Sequence, residues 1–154
     1  MIEILVVMGM ITILASVVLI AVNPSRQFAQ ARNSQRISNT NALLNAVGNR
    51  LAENRGIFTD SSVCATPIPS LPTTMGKGGF NIRPCLVPLY LSELPVDPTS
   101  GTNTCKSATC AGASESYDTG YTIAQDPASG RITICAPGAA EPTLPGSDTY
   151  CLTR

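Results

Sequence analysis

Residues 4–22 carry no charged side chain. One carboxylate, Glu3, stands just ahead of the run, and only Gly9, Thr12 and Ser16 interrupt its apolar character. As a helix, a stretch of this length extends about 28 Å, close to the hydrocarbon thickness of a bilayer. A helix that is apolar on every side is not stable facing water, so the run reads as a signal peptide, a spanning anchor or a buried core helix. A signal peptide has a positive start, a shorter apolar core and a small-x-small cleavage site. Here the start is acidic and no Ala-x-Ala site comes after it. A membrane-spanning anchor is the expectation.

The remainder of the chain is small. It has 154 residues in all, leaving about a hundred for one domain, a size that is often stapled. Six cysteines, an even number, point to three disulfides and an oxidising compartment. A zinc site is disfavoured because histidine is absent and no Cys-x-x-Cys spacing occurs. The lack of histidine also removes any imidazole base. Net charge is zero. Residues 56–154 are mildly acidic, with eight Asp or Glu against five Lys or Arg. No basic face of the kind nucleic acid requires is evident. Arg26, Arg32 and Arg36 after the apolar run would favour the cytoplasmic side, whereas the cysteines favour the outside. A cationic leader ahead of Met1 would reconcile the two.

Pro24 lacks an N–H for the carbonyl of Ile20 and crowds it, so it either kinks the helix or opens a second one at its first turn. From Ser25 to about Glu53 the pattern is helical. Ile37, Thr40, Leu44, Val47 and Leu51 form an apolar stripe, with Arg36, Asn39, Asn49, Arg50 and Glu53 on the other face. Arg26, Arg32 and Arg36 read as a solvated face. Gly56 ends the helix.

Residues 57–89 read as irregular, punctuated by Pro and Gly. Gly76-Lys77-Gly78-Gly79 is a turn rather than a phosphate loop, since no G-x-x-x-x-G-K-[ST] pattern exists. A Cys64–Cys85 bridge would tie this connection down. Cys105 and Cys110 form a natural local pair. Gly120–Ala124 and Arg131–Cys135 alternate with period two around an Asp126–Gly130 turn, which is a hairpin. Tyr121, Ile123, Ile132 and Ile134 should face the helix stripe. Asp148–Thr153 is a short terminal strand that a Cys135–Cys151 bridge would pin. Six cysteines allow 15 connectivities, and this sequential pairing is the one chosen among them.

The run Ile2-Glu3-Ile4-Leu5-Val6-Val7-Met8-Gly9-Met10-Ile11 resembles the N-terminus of type IV pilins and type II secretion pseudopilins. The likeness covers about 25 residues. The family's basic leader, its cleavage-site Gly and its Phe-Thr pair are missing, so the expectation is a sequence beginning two residues inside the mature subunit. Leu94-Pro95-Val96-Asp97-Pro98 resembles the Leu-Pro-x-Asp-Pro segment of major pseudopilins, where Asp97 would cap the next turn.

The resemblance implies an α+β, ladle-shaped pilin fold, with a long N-terminal helix packed on a small antiparallel sheet. Residues 1–24 would be the hydrophobic transmembrane and filament-core helix. Residues 25–55 would be the amphipathic stalk and head-packing helix, and residues 56–154 the disulfide-stapled head. Glu3 would pair with the methylated amino terminus of a neighbouring subunit and set assembly register. Pro24 would mark where the helix melts in a filament. The family's calcium site in the C-terminal loops is not expected, because Asp118, Asp126 and Asp148 are scattered. No enzyme chemistry, cofactor or metal is expected.

Three functions compete. The first is a structural subunit of a type IV pilus-like extracellular filament. Its partners would be copies of itself, the inner membrane before assembly and the pilus or secretion assembly machinery, with no nucleic acid. The second is a major pseudopilin of a type II secretion system. The third is a membrane-anchored binding module that never polymerises.

Overall fold

Asn23 divides the N-terminal helical run in two. The computed structural model describes residues 1–60 and 62–154, with the side chains of residues 19–22 outside the described set. Helix α1 is Ile2–Val22 and helix α2 is Pro24–Glu53. Asn23 between them is left-handed, at φ 43° and ψ 79°, a conformation Asn tolerates better than most residues. Pro24 occupies the start of α2, where its missing N–H has no intrahelical acceptor to lose. Pro24 therefore opens a second helix, and the break lies immediately before it. The Arg26 N–H donates to the Asn23 carbonyl at 3.2 Å, and Ser25 Oγ donates to Asn23 Oδ1 at 2.8 Å, tying the first turn of α2 to the break.

Helix α2 buries Arg36, Thr40, Leu43, Leu44, Val47 and Arg50 on one face. That face is rotated from the expected one: Ile37 is exposed and Leu51 only half-buried. Arg36 and Arg50, expected on the solvated side, are inside. A buried arginine is tolerable only when paired and fully hydrogen-bonded, and both find such partners within the chain. The helix ends on two left-handed residues, Arg55 and Gly56, and the Gly56 N–H closes back on the Leu51 carbonyl at 2.7 Å.

The sheet has five antiparallel strands: β1 Thr73–Gly76, β2 Thr102–Asn103, β3 Tyr117–Gln125, β4 Ile132–Ala136 and β5 Tyr150–Thr153. The main order is β1-β3-β4-β5. Asp118 pairs with both Gly76 of β1 and Thr102 of β2, so those strands flank β3 on opposite sides. The far half of β3 pairs with β4, Ile123 opposite Ile134. Strand β1 falls in the stretch 57–89 read as irregular, and β2 is not among the expected strands. Both are short, and β1 sits between Pro72 and a glycine-rich turn, so neither carries enough alternation to be seen. A one-turn helix, α3 (Arg83–Leu86), comes after β1.

The core lies between α2 and the sheet. Leu43, Leu44 and Val47 join Tyr121, Ile123, Ile132 and Ile134, with Met75, Ile82 and Leu86 closing one end. Alternation along β3 and β4 puts every second residue on this face. The protein is thus α+β, a helix packed on a small antiparallel sheet.

Candidate functional site

The described side chains of helix α1 lie outside that core. Every described side chain on it, through Val18, is exposed. Leu5 is 73% exposed, Met8 64% and Leu14 66%. The exposure runs right round the helix rather than along one stripe. An apolar surface of this extent marks a place where something else packs. Glu3 sits exposed in the first turn, where the helix dipole favours a carboxylate. It shares a shallow groove with Ile4, Val7, Met8 and Ile11. The structure thus places the one expected assembly carboxylate on an otherwise apolar helix. Among the described residues no helix is long and apolar enough to cross a membrane. The side chains of residues 19–22, at the end of the spanning anchor expected over residues 1–24, lie outside the described residues.

The opposite arrangement fastens α2 to the rest. Arg36 is fully buried. Its Nε donates to Asp97 Oδ2 at 2.6 Å, and Nη2 donates to Asp97 Oδ1 at 3.2 Å and Thr99 Oγ1 at 2.7 Å. Its Nη1 donates to Glu141 Oε1 at 2.6 Å and Asn33 Oδ1 at 2.8 Å. All five guanidinium N–H groups are used. Arg32, one turn earlier, donates to both oxygens of Glu141, each at 2.8 Å. The Asn33 amide holds the Ala139 carbonyl at 3.0 Å. Three distant segments, around residues 33, 97 and 141, therefore meet on one side chain.

Asp97 does cap the turn after it, accepting the N–H groups of Thr99 and Ser100 at 2.9 and 3.0 Å. It is also the buried partner of Arg36, which a lone turn aspartate did not announce. Burial is the largest influence on its carboxyl and pushes it up. The Arg36 guanidinium, with the Thr99 and Ser100 donors, outweighs that and holds it well below the usual carboxylate range. Arg32 and then Arg36 lower Glu141 to about 2. Two glycines make room. A Cβ at Gly138 would lie 2.9 Å from Asp97 Oδ2 and 3.1 Å from Arg36 Nη2. Gly120, at φ 73°, would put one 2.7 Å from Asp97 Cβ.

Two other arginines repeat the pattern at the far end of α2. Arg50 donates to the carbonyls of Phe58 at 2.8 Å and Cys85 at 3.0 Å, and lies over the Phe58 ring at 5.5 Å. Arg83 grips Glu93 with two nitrogens and the Ser107 carbonyl with Nε at 3.0 Å. Among the described residues no buried side-chain polar atom lacks a partner.

Three disulfides close the chain: Cys64–Cys85, Cys105–Cys110 and Cys135–Cys151. This is the sequential pairing. The first ties the segment after α2 to α3, and closing its 21-residue loop is worth roughly 3 kcal/mol in the chain-entropy picture. Asp126 serves the hairpin turn, accepting the Ala128 N–H at 3.0 Å. Asp118 accepts the Gly120 N–H at 2.8 Å. Gly76–Gly79 is a tight turn closed by the Gly79 N–H on the Gly76 carbonyl at 3.2 Å. Among the described residues no group of three acidic or cysteine side chains is placed to hold a metal.

No protein-family model, curated protein or solved structure matches the chain.

Proposed function

We propose that this chain is a structural subunit of a type IV pilus-like extracellular filament, polymerising through α1. The observation that carries the reading is α1 itself: apolar on every side, exposed along its described length, and opened by one carboxylate. Copies of α1 packed together would cover one another's apolar surface, leaving the stapled heads outside. Glu3 would then lie in a dry bundle, where an unpaired carboxylate costs several kcal/mol and a pairing cation from a neighbour is strongly favoured. The amino terminus of an adjacent copy is such a cation. Before assembly α1 would be embedded in the inner membrane. The ladle-shaped pilin architecture belongs to this proposal, and so do the assembly machinery as partner and the cell surface as location.

The Leu94–Pro98 segment favours one second reading, a major pseudopilin of a type II secretion system, which polymerises by the same physics. Electron microscopy of cells carrying the wild-type chain and a Glu3→Gln variant tests the proposal. The wild type is expected to form filaments. The variant should reach the membrane fraction yet give at least tenfold less filament. Normal assembly by the variant would remove the role assigned to Glu3. Absence of wild-type filaments would favour a non-polymerising membrane-anchored binding module.

A further inference from the structure

The three disulfides differ in where the sheet and core leave their sulfurs. Cys64 and Cys85 are both buried, at 1% and 2% exposure. Cys110 is buried and Cys105 half-buried. Cys135 is half-buried and Cys151 exposed. The register explains this last pair. Ile132 and Arg154 exchange both backbone hydrogen bonds, at 2.7 and 3.0 Å. Counting from there, Cys135 and Cys151 face each other at a position without such bonds, where side chains on one face lie closest. Ile132, Ile134 and Leu152 turn toward α2, so this bridge lies on the outer, solvent face.

Strand β5 is the edge of the sheet and has few other fastenings. It is four residues long and pairs only with β4 among the described strands. Tyr150 and Leu152 are only partly buried. Beyond the bridge and its backbone pairing with β4, the Thr133–Thr153 hydroxyl contact at 2.8 Å and a bond from Arg154 to Asn45 hold it, and both are exposed.

We infer that Cys135–Cys151 is a reducible latch: a dithiol reductant opens it selectively and frees β5 while the rest of the head stays folded. A reductant thiolate attacks the exposed Cys151 sulfur, the S–S bond breaks, and Cys135 leaves as thiolate. The reductant's second thiolate then attacks the mixed disulfide and releases Cys151. Two electrons and two protons pass to the protein, giving two thiols, and the reductant becomes a disulfide. The buried Cys64–Cys85 bridge is shielded from attack. Cys105–Cys110 closes a loop of only 5 residues, so once cleaved it re-forms fast. Release of β5 leaves the outer edge of β4 unpaired, an open template for another strand.

Graded dithiothreitol on the full chain in detergent micelles, with alkylation and peptide mapping, reads the order of opening. Hydrogen exchange reads the consequence. Cys135 and Cys151 should alkylate at least tenfold faster than the other four cysteines. The amides of Leu152 and Arg154 should lose protection while those of Leu43–Val47 keep theirs. A Cys135→Ser/Cys151→Ser double variant should show the same exchange pattern without reductant. Simultaneous opening of all three bridges overturns the proposal, as does earlier opening of either other bridge. Unchanged protection of β5 after cleavage overturns it equally.

Discussion

Along α1, Ile4, Leu5, Met8 and Ile11 are 57–73% exposed; in α2, Arg36 is at 0% and Arg50 at 3%. Apolar side chains face out and charged ones face in. Both inversions carry a free-energy penalty in isolation, but the structure relieves only one of them. Arg36 finds Asp97, Glu141, Thr99 and Asn33 within its own chain. The described side chains of α1, residues 2–18, all stay exposed. A buried charge with all its donors used is a finished piece of architecture. An apolar helix whose described side chains all stay exposed presents a surface open to a partner.

The sharpest way to break the comparison is to remove Arg36. Arg36→Ala leaves Asp97 buried without its cation and should cost about 3–5 kcal/mol in unfolding free energy, measured by chemical denaturation. A loss below about 1 kcal/mol would mean the cluster is ornamental. Gly138→Ala tests the fit of the same cluster from its other wall. The new Cβ must push into Asp97 Oδ2 and the guanidinium, neither of which is free to move. The expected loss is about 1–3 kcal/mol.

Acid probes the pair more gently. Asp97 and Glu141 are both depressed, so their contribution to stability is present above the ordinary carboxylate range and lost as pH falls through the folded-state values. Stability should therefore decline from about pH 4.5 toward pH 2. Glu141→Gln should flatten that decline in a denaturation series across this window. The smallest expected effect lies on α1. Val7→Ser should leave head unfolding unchanged within about 0.5 kcal/mol, because the side chain touches no core. A larger shift would show that α1 belongs to the folded head after all.

The two regions were not equally legible in the sequence. Residues 4–22 announce themselves by composition alone, and alternation marks Tyr121, Ile123, Ile132 and Ile134 as core. The arginine cluster stayed hidden because its members are 105 residues apart between Arg36 and Glu141, and each reads locally as ordinary surface. The one hint was positional. Arg36 and Arg50 fall on the same helical face as Thr40, Leu43 and Val47, so the buried stripe includes two charges. Nothing around Glu141 carried a comparable signal. Strands β1 and β2 escaped because two to four residues cannot establish a period, and their pairing is decided by β3.

Methionine oxidation tests most directly whether α1 is the surface that other copies cover. Met8 and Met10 lie 64% and 62% exposed on α1, and Met75, at 0%, is an internal reference in the core. In filaments purified without detergent and exposed to a brief hydroxyl-radical pulse, Met8 and Met10 should be as protected as Met75. Oxidation of Met8 and Met10 at the rate of freely exposed methionine, in assembled material, would contradict assembly through α1.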